Sequence, residues 1–220
     1  MTELQLREHY VDTLRGWLGR NEGDGSHKLI IDTYNSLKPL PRNYWMTYKD
    51  AWCAATVSAA AIEAGLTGII LRECSCARMI DLFKKMGRWM ERDDYVPLPG
   101  DILFYDWDDS GKGDNIGAPD HVGAVEKVAG NMITVIEGNY KDAVGRRYIT
   151  VNNRYIRGYG LPDYASMSDS PPPPETAVKT LTNGGFIRSM DNADLAAFLS
   201  NPPPLAVGQS WLDWLNAPAL

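Results

Sequence analysis

The sequence predicts an α+β fold in which helices come first and strands second. Before Trp89, apolar residues recur at the i, i+3, i+4 spacing of amphipathic helices. After Pro97-Leu98-Pro99-Gly100 the texture changes to short β-branched and aromatic runs separated by Gly, Asn and Asp. At 220 residues the chain holds one good-sized core plus a tail or small second module.

Leu4, Leu6, Tyr10, Leu14, Trp17 and Leu18 form the stripe of a first amphipathic helix, which stops at the stretch Gly19–Gly25. His27–Asn35 reads as a short helix, followed by a loop at Pro39 and Pro41. Asp50–Gly65 (DAWCAATVSAAAIEAG) has helix-forming composition, with Asp50 as N-cap and Gly65 as the C-terminal stop. A further helix is expected from Ser75 to about Trp89. Met79, Leu82, Phe83 and Met86 share one of its faces, and Lys84, Lys85 and Arg88 lie outside. Strands are expected at Asp101–Trp107, His121–Val128, Met132–Asn139 and Arg146–Val151. They form an antiparallel sheet with the N-terminal helices packed on one face.

This domain is expected to span residues 1–164. Residues 165–175 contain Pro171-Pro172-Pro173-Pro174, a stiff, extended linker. Residues 176–220 form a small C-terminal module, with a helical pattern at Asn192–Leu199, then Pro202-Pro203-Pro204 and Trp211-Leu212-Asp213-Trp214-Leu215. It is too small to build its own core, so docking, self-association or binding of an outside surface are its expected roles.

A formal net charge of -6 and a pI near 5.1, with no Lys/Arg stripe, argue against a nucleic-acid partner. With 23% charged residues and a mean hydropathy of -0.31, neither membrane insertion nor global disorder is expected. Charged residues interrupt Met1–Arg20, so no signal peptide is expected and synthesis is placed in the cytoplasm. The three cysteines, at 53, 74 and 76, are too few and odd in number for a disulfide framework, which suits a reducing compartment.

Cys53 stands near the start of its predicted helix, where unsatisfied N–H groups and the helix dipole favour a thiolate. Its base must be a histidine, since an imidazole can take the thiol proton and return it to a leaving amine. Of the three, His9 and His27 are expected to be solvated, while His121 opens the apolar strand His-Val-Gly-Ala-Val. Glu137-Gly138-Asn139 offers two candidates for orienting the imidazole, on one strand face. That face is the face of His121 if Ala129-Gly130-Asn131 is a three-residue hairpin loop; a two-residue loop at Gly130-Asn131 requires a bulge to restore it. Trp52, Tyr105 and Trp107 are candidates for lining a substrate cleft.

No metal or other cofactor is expected. Asn21, Glu22 and Asp24 read as a solvated turn. Cys74-Ser75-Cys76 has one-residue spacing and no second Cys/His pair, and is read as structural.

The segments Asp50–Ser58 (DAWCAATVS), Pro99–Trp107 (PGDILFYDW), Asp120–Val128 (DHVGAVEKV) and Ile133–Asn139 (ITVIEGN) resemble the CHAP family of peptidoglycan amidohydrolases. The resemblance implies a papain-like fold, peptidoglycan as the partner, and an active site of Cys53, His121, Glu137 and Asn139. Glu73–Cys76 and Val144–Ile149 look like lysins of phages and prophages. What is implied is an N-acetylmuramoyl-L-alanine amidase or a peptide endopeptidase, acting at the wall after release or from the virion. Some such lysins hold calcium in an Asp-rich loop before the nucleophile, where this chain offers only Asp50. The rival reading is a catalytically idle wall-binding or virion structural protein of the same fold. The full set of four residues favours the enzyme, because a binder needs no helix-borne thiol facing an imidazole.

Overall fold

The computed structural model describes residues 1–108 and 117–169. The remainder of the expected linker 165–175 beyond Asp169, and the whole of the expected module at 176–220 with Trp211 and Trp214, lie outside the described residues.

Four helices precede most of the sheet: α1 (Glu3–Arg15), α2 (Lys28–Ser36), α3 (Cys53–Glu63) and α4 (Cys76–Lys85). Thr2 and Gln5 form a capping box at α1, whose buried face is Leu6, Tyr10, Val11 and Leu14. Leu4, counted in the predicted stripe, is instead exposed. His27, expected to be solvated, is buried: it heads α2, and its ring packs on Trp52 with centroids 5.6 Å apart.

α3 begins two residues later than expected, its N-cap at Trp52 rather than Asp50. Asp50 does not cap it. Its carboxylate accepts from the Thr47 N–H (2.7 Å) and hydroxyl (3.1 Å), closing a separate turn. Trp52 takes the N-cap position without a side-chain cap, which makes Cys53 the first helical residue. The predicted stop at Gly65 is a Schellman arrangement: φ is +71°, Leu66 N–H bonds to Ala61 O and Gly65 N–H to Ile62 O. α4 starts at the Ser75 cap but ends at Lys85, short of Trp89. Gly87 (φ +66°) closes the same arrangement through Arg88 N–H to Phe83 O and releases Trp89 into a strand.

The sheet has six antiparallel strands in the order β1-β6-β2-β3-β4-β5. They are β1 (Trp89–Met90), β2 (Ile102–Tyr105), β3 (His121–Ala129), β4 (Met132–Tyr140), β5 (Ala143–Thr150) and β6 (Ile156–Gly160). β1 and β6 were not expected. Alternation splits the apolar residues between two cores. Ile102, Phe104, Val122, Ala124 and Ile136 pack under the helices, while Leu103, Tyr105, Val125, Ile133 and Val135 fill the opposite face. α3 lies almost wholly buried over β3 and β4, and its alanines permit that approach. Gly138 marks the closest point: a Cβ there would overlap the Thr56 hydroxyl and come within 2.9 Å of the Trp52 ring.

The β3–β4 hairpin decides where the candidate residues point. Ala129 pairs with Met132, so the connection is the two-residue turn Gly130-Asn131 rather than the three-residue loop. A bulge at Glu126 then shifts the ladder to Val125↔Val135 and Ala124↔Ile136, the register the longer loop would have set. The bulged Glu126 is held by Arg15 at 2.8 Å and Arg146 at 2.6 and 2.8 Å. The face of Glu137 therefore matches that of His121, by the bulge and not by the loop.

Candidate active site

Three of the predicted residues meet where the N-terminus of α3 reaches the start of β3. Cys53 is buried at the first position of α3. Its thiol is held well below its ordinary pKa. The hydrogen bond with Cys76 is the largest cause, burial opposes it, and the His121 hydrogen bond and charge and the Ala54 N–H add to it. His121 Nε2 lies 3.0 Å from Glu137 Oε2, which leaves Nδ1 to serve the thiol. Burial pulls the imidazole pKa down, but the hydrogen bonds and charges of Cys53 and Glu137 outweigh it and raise it to about 9. The two shifts act in the same sense, favouring a thiolate beside an imidazolium.

Glu137 has no exposed surface. Burial opposes its ionisation, but His121 and Arg147 hold the carboxyl below its usual range. Arg147 Nε donates to its two oxygens at 2.8 and 3.0 Å. The same guanidinium lies over the rings of Tyr140, Trp107 and Tyr105, at 4.5, 4.7 and 5.3 Å from their centroids. Sequence reasoning missed Arg147. The pairing Val135↔Arg147 puts it on the face of Glu137, so a correct β4–β5 register was the signal that could have found it.

Asn139 is not brought to the imidazole. It sits at φ +56° in the irregular end of the β4–β5 ladder, and among the described residues no hydrogen bond joins its side chain to His121. Of the aromatic candidates, Trp52 and Tyr105 are fully buried and have no surface to offer a substrate. Trp52 donates from Nε1 to Glu22 at 2.9 Å, behind the helix start. Trp107 is 37% exposed, stacks on Tyr105 at 4.7 Å and lies 6.5 Å from the His121 ring. Its backbone N–H donates to the carboxylate of Asp120, the neighbour of His121.

Cys76 was also missed: its sulfur lies 3.7 Å from that of Cys53. Around the predicted turn, Asn21 donates to Asp24, and Asp24 accepts from the Ser26 N–H. No cluster of His, Cys, Asp and Glu fit for a metal occurs among the described residues, and no helix among them is long and apolar enough to cross a membrane.

The arrangement suits acyl transfer: a thiol at a helix start, an imidazole beside it, and a buried carboxylate that fixes the ring. Comparison with known proteins gives a family match to the CHAP domain over residues 43–139. Two solved structures are similar. Ly7917 with the hydrolyzing product of MDP aligns at 17% identity and a TM-score of 0.36, and Ly7917 alone at 18% and 0.35. Each alignment covers 71% of this chain and 62% of that chain, so this chain spans less than two thirds of the Ly7917 length. A search of curated proteins gave no match. The segment that matches the CHAP domain contains Cys53, His121, Glu137 and Asn139, and the helices and antiparallel sheet around it are consistent with a papain-like α+β fold.

Proposed function

We propose that the chain hydrolyses an amide bond of peptidoglycan, with Cys53 as nucleophile. The observation that carries the chemistry is the Cys53–His121–Glu137 relay at the start of α3. The CHAP match supports the substrate class. The Cys53 thiolate attacks the amide carbon, and the first-turn N–H groups of α3 face the developing oxyanion. The imidazolium of His121 gives its proton to the leaving amine, and the acyl group stays on sulfur as a thioester. Neutral His121 then takes a proton from water, which cleaves the thioester and restores the thiolate and the imidazolium. Glu137 holds Nε2 throughout and stabilises the positive ring. Trp107 is the exposed aromatic beside this centre and the candidate contact for substrate. The resemblance of Glu73–Cys76 and Val144–Ile149 to phage lysins supports action at the wall after release or from the virion.

Purified walls test this. The full chain is expected to lower their turbidity and release new amino termini, and Cys53→Ala to do neither. Equal clearance by the variant would refute it. If the new termini lie at muramoyl-linked L-alanine the enzyme is an amidase; within stem or bridge peptides, an endopeptidase.

A further inference from the structure

The mechanism above leaves Cys74 and Cys76 unused, and Cys76 touches the nucleophile. Cys76 is the first residue of α4 as Cys53 is of α3, so two helix N-termini meet at a sulfur pair 3.7 Å apart. The approach is built by bonds between α3 and the segment leading into α4. Ser58, on α3, donates to Glu73 O at 2.6 Å and accepts from Glu73 N–H at 2.9 Å. The Glu73 carboxylate accepts from the N–H groups of Cys74 and Ser75, at 2.7 and 3.2 Å, and from Arg42 at 2.7 Å. These bonds clamp the segment leading into α4 to the nucleophile helix.

The direction of the sulfur contact follows from chemistry. His121 takes the Cys53 proton, so Cys53 only accepts and Cys76 donates. Cys76 accordingly keeps its proton: the bond to Cys53, then burial, raise its pKa. The groups acting on the pair are His121 from β3, the adjacent Asp120 and the Ala54 N–H from α3, with Glu137 and Arg147 behind the imidazole.

We propose that Cys76 is a positioning residue, donating an S–H···S⁻ hydrogen bond that aims the Cys53 thiolate and keeps it ionised. This rests on the reading of Cys53 as the nucleophile. It has a consequence that a purely structural cysteine lacks. A donor that stabilises the anion widens the pH range of the thiolate but lowers its intrinsic nucleophilicity, because nucleophilicity falls as thiol pKa falls.

The test is the rate at which iodoacetamide modifies the Cys53 peptide of the full chain. The rate is followed by mass spectrometry from acid to alkaline pH in phosphine-reduced buffer, for wild type, Cys76→Ala and Cys76→Ser. In Cys76→Ala the midpoint moves to higher pH, alkylation on the acid side slows roughly fivefold, and the alkaline plateau does not fall. Cys76→Ser, whose hydroxyl donates, stays at or below the wild-type midpoint. An unchanged midpoint in Cys76→Ala, or an upward shift in Cys76→Ser, would overturn the proposal. The serine variant keeps it testable if the alanine variant fails to fold. No wall substrate enters this measurement. Intact walls together with a midpoint that responds to Cys76 would refute the peptidoglycan reading alone.

Discussion

Replacing Glu137 by glutamine separates the role of the buried carboxylate from its shape. The side chain is fully buried and accepts from His121 Nε2 at 3.0 Å and Arg147 Nε at 2.8 and 3.0 Å. Bonds to charged groups contribute about 1.5–3 kcal/mol each, and neutral ones about 0.5–1.5. Glutamine thus forfeits roughly 1 kcal/mol per partner. Arg147 is one-quarter exposed, which discounts its share, so the expected loss of stability is about 2 kcal/mol. The effect on pH dependence is sharper. His121 is raised from 6.5 to about 9, so its pairing contributes stability that is fully present below pH 6.5 and lost as pH rises through about 9. On the proposed mechanism the imidazolium is the donor to the leaving amine, and it disappears over the same window. Without the Glu137 charge the ring loses its proton earlier, and the alkaline limb of activity moves to lower pH. Wall clearance from pH 6 to 10, with thermal unfolding at each pH, measures both effects. Asn139→Ala, at a residue with no bond to the imidazole, is expected to leave the limb in place. An unmoved limb in Glu137→Gln, or an equal shift in Asn139→Ala, would refute the assignment of Glu137 as the orienting group.

Gly138→Ala is expected to lower the melting temperature strongly, with a cost of about 2 kcal/mol or more, because its Cβ overlaps Thr56 under α3; an unchanged melting temperature contradicts the close packing. Ser58→Ala removes both bonds to Glu73 and is expected to cost about 1–2 kcal/mol in denaturant unfolding. Glu126 is held at a pKa of about 2 by Arg146 first and Arg15 next, against 4.5 ordinarily. It contributes stability present above pH 4.5 and lost as pH falls through about 2, so Glu126→Gln flattens the melting temperature across that window. Trp107→Ala is expected to raise the wall concentration needed for half-maximal clearance while leaving the alkaline limb unshifted.

Much of the fold was legible because its signals are local. The stripe of α1, the Gly65 stop and the alternation of β2 to β5 each reside within a few residues. β6 escaped because Gly158 and Gly160 interrupt the apolar alternation by which a strand is recognised. Both lie in the strand because Trp89 and Phe83 press on the backbone, each 2.5 Å from where a Cβ would stand. β1 escaped because Trp89 continues the helical pattern of α4 until Gly87 ends it. Asp50 had the chemistry of an N-cap and used it on the Thr47 turn instead. The candidates Cys53, His121 and Glu137 were readable from spacing, and the fold brings these three together. Arg147 and Cys76 were not, since each meets its partner through a sheet register or a clamp between distant segments. The Glu126 bulge is equally invisible locally, since Arg15, which helps hold it, lies 111 residues away.

The most direct measurement of the central claim is the capture of the acyl-enzyme. Walls mixed with the full chain are quenched in acid within the turnover time, and the digested protein is examined by mass spectrometry. A muropeptide-derived acyl mass on the peptide containing Cys53, absent from Cys53→Ala, is the expected result. Cleavage of walls that proceeds at the same rate in Cys53→Ala, with no adduct on the wild-type Cys53 peptide, would contradict nucleophilic catalysis by this residue.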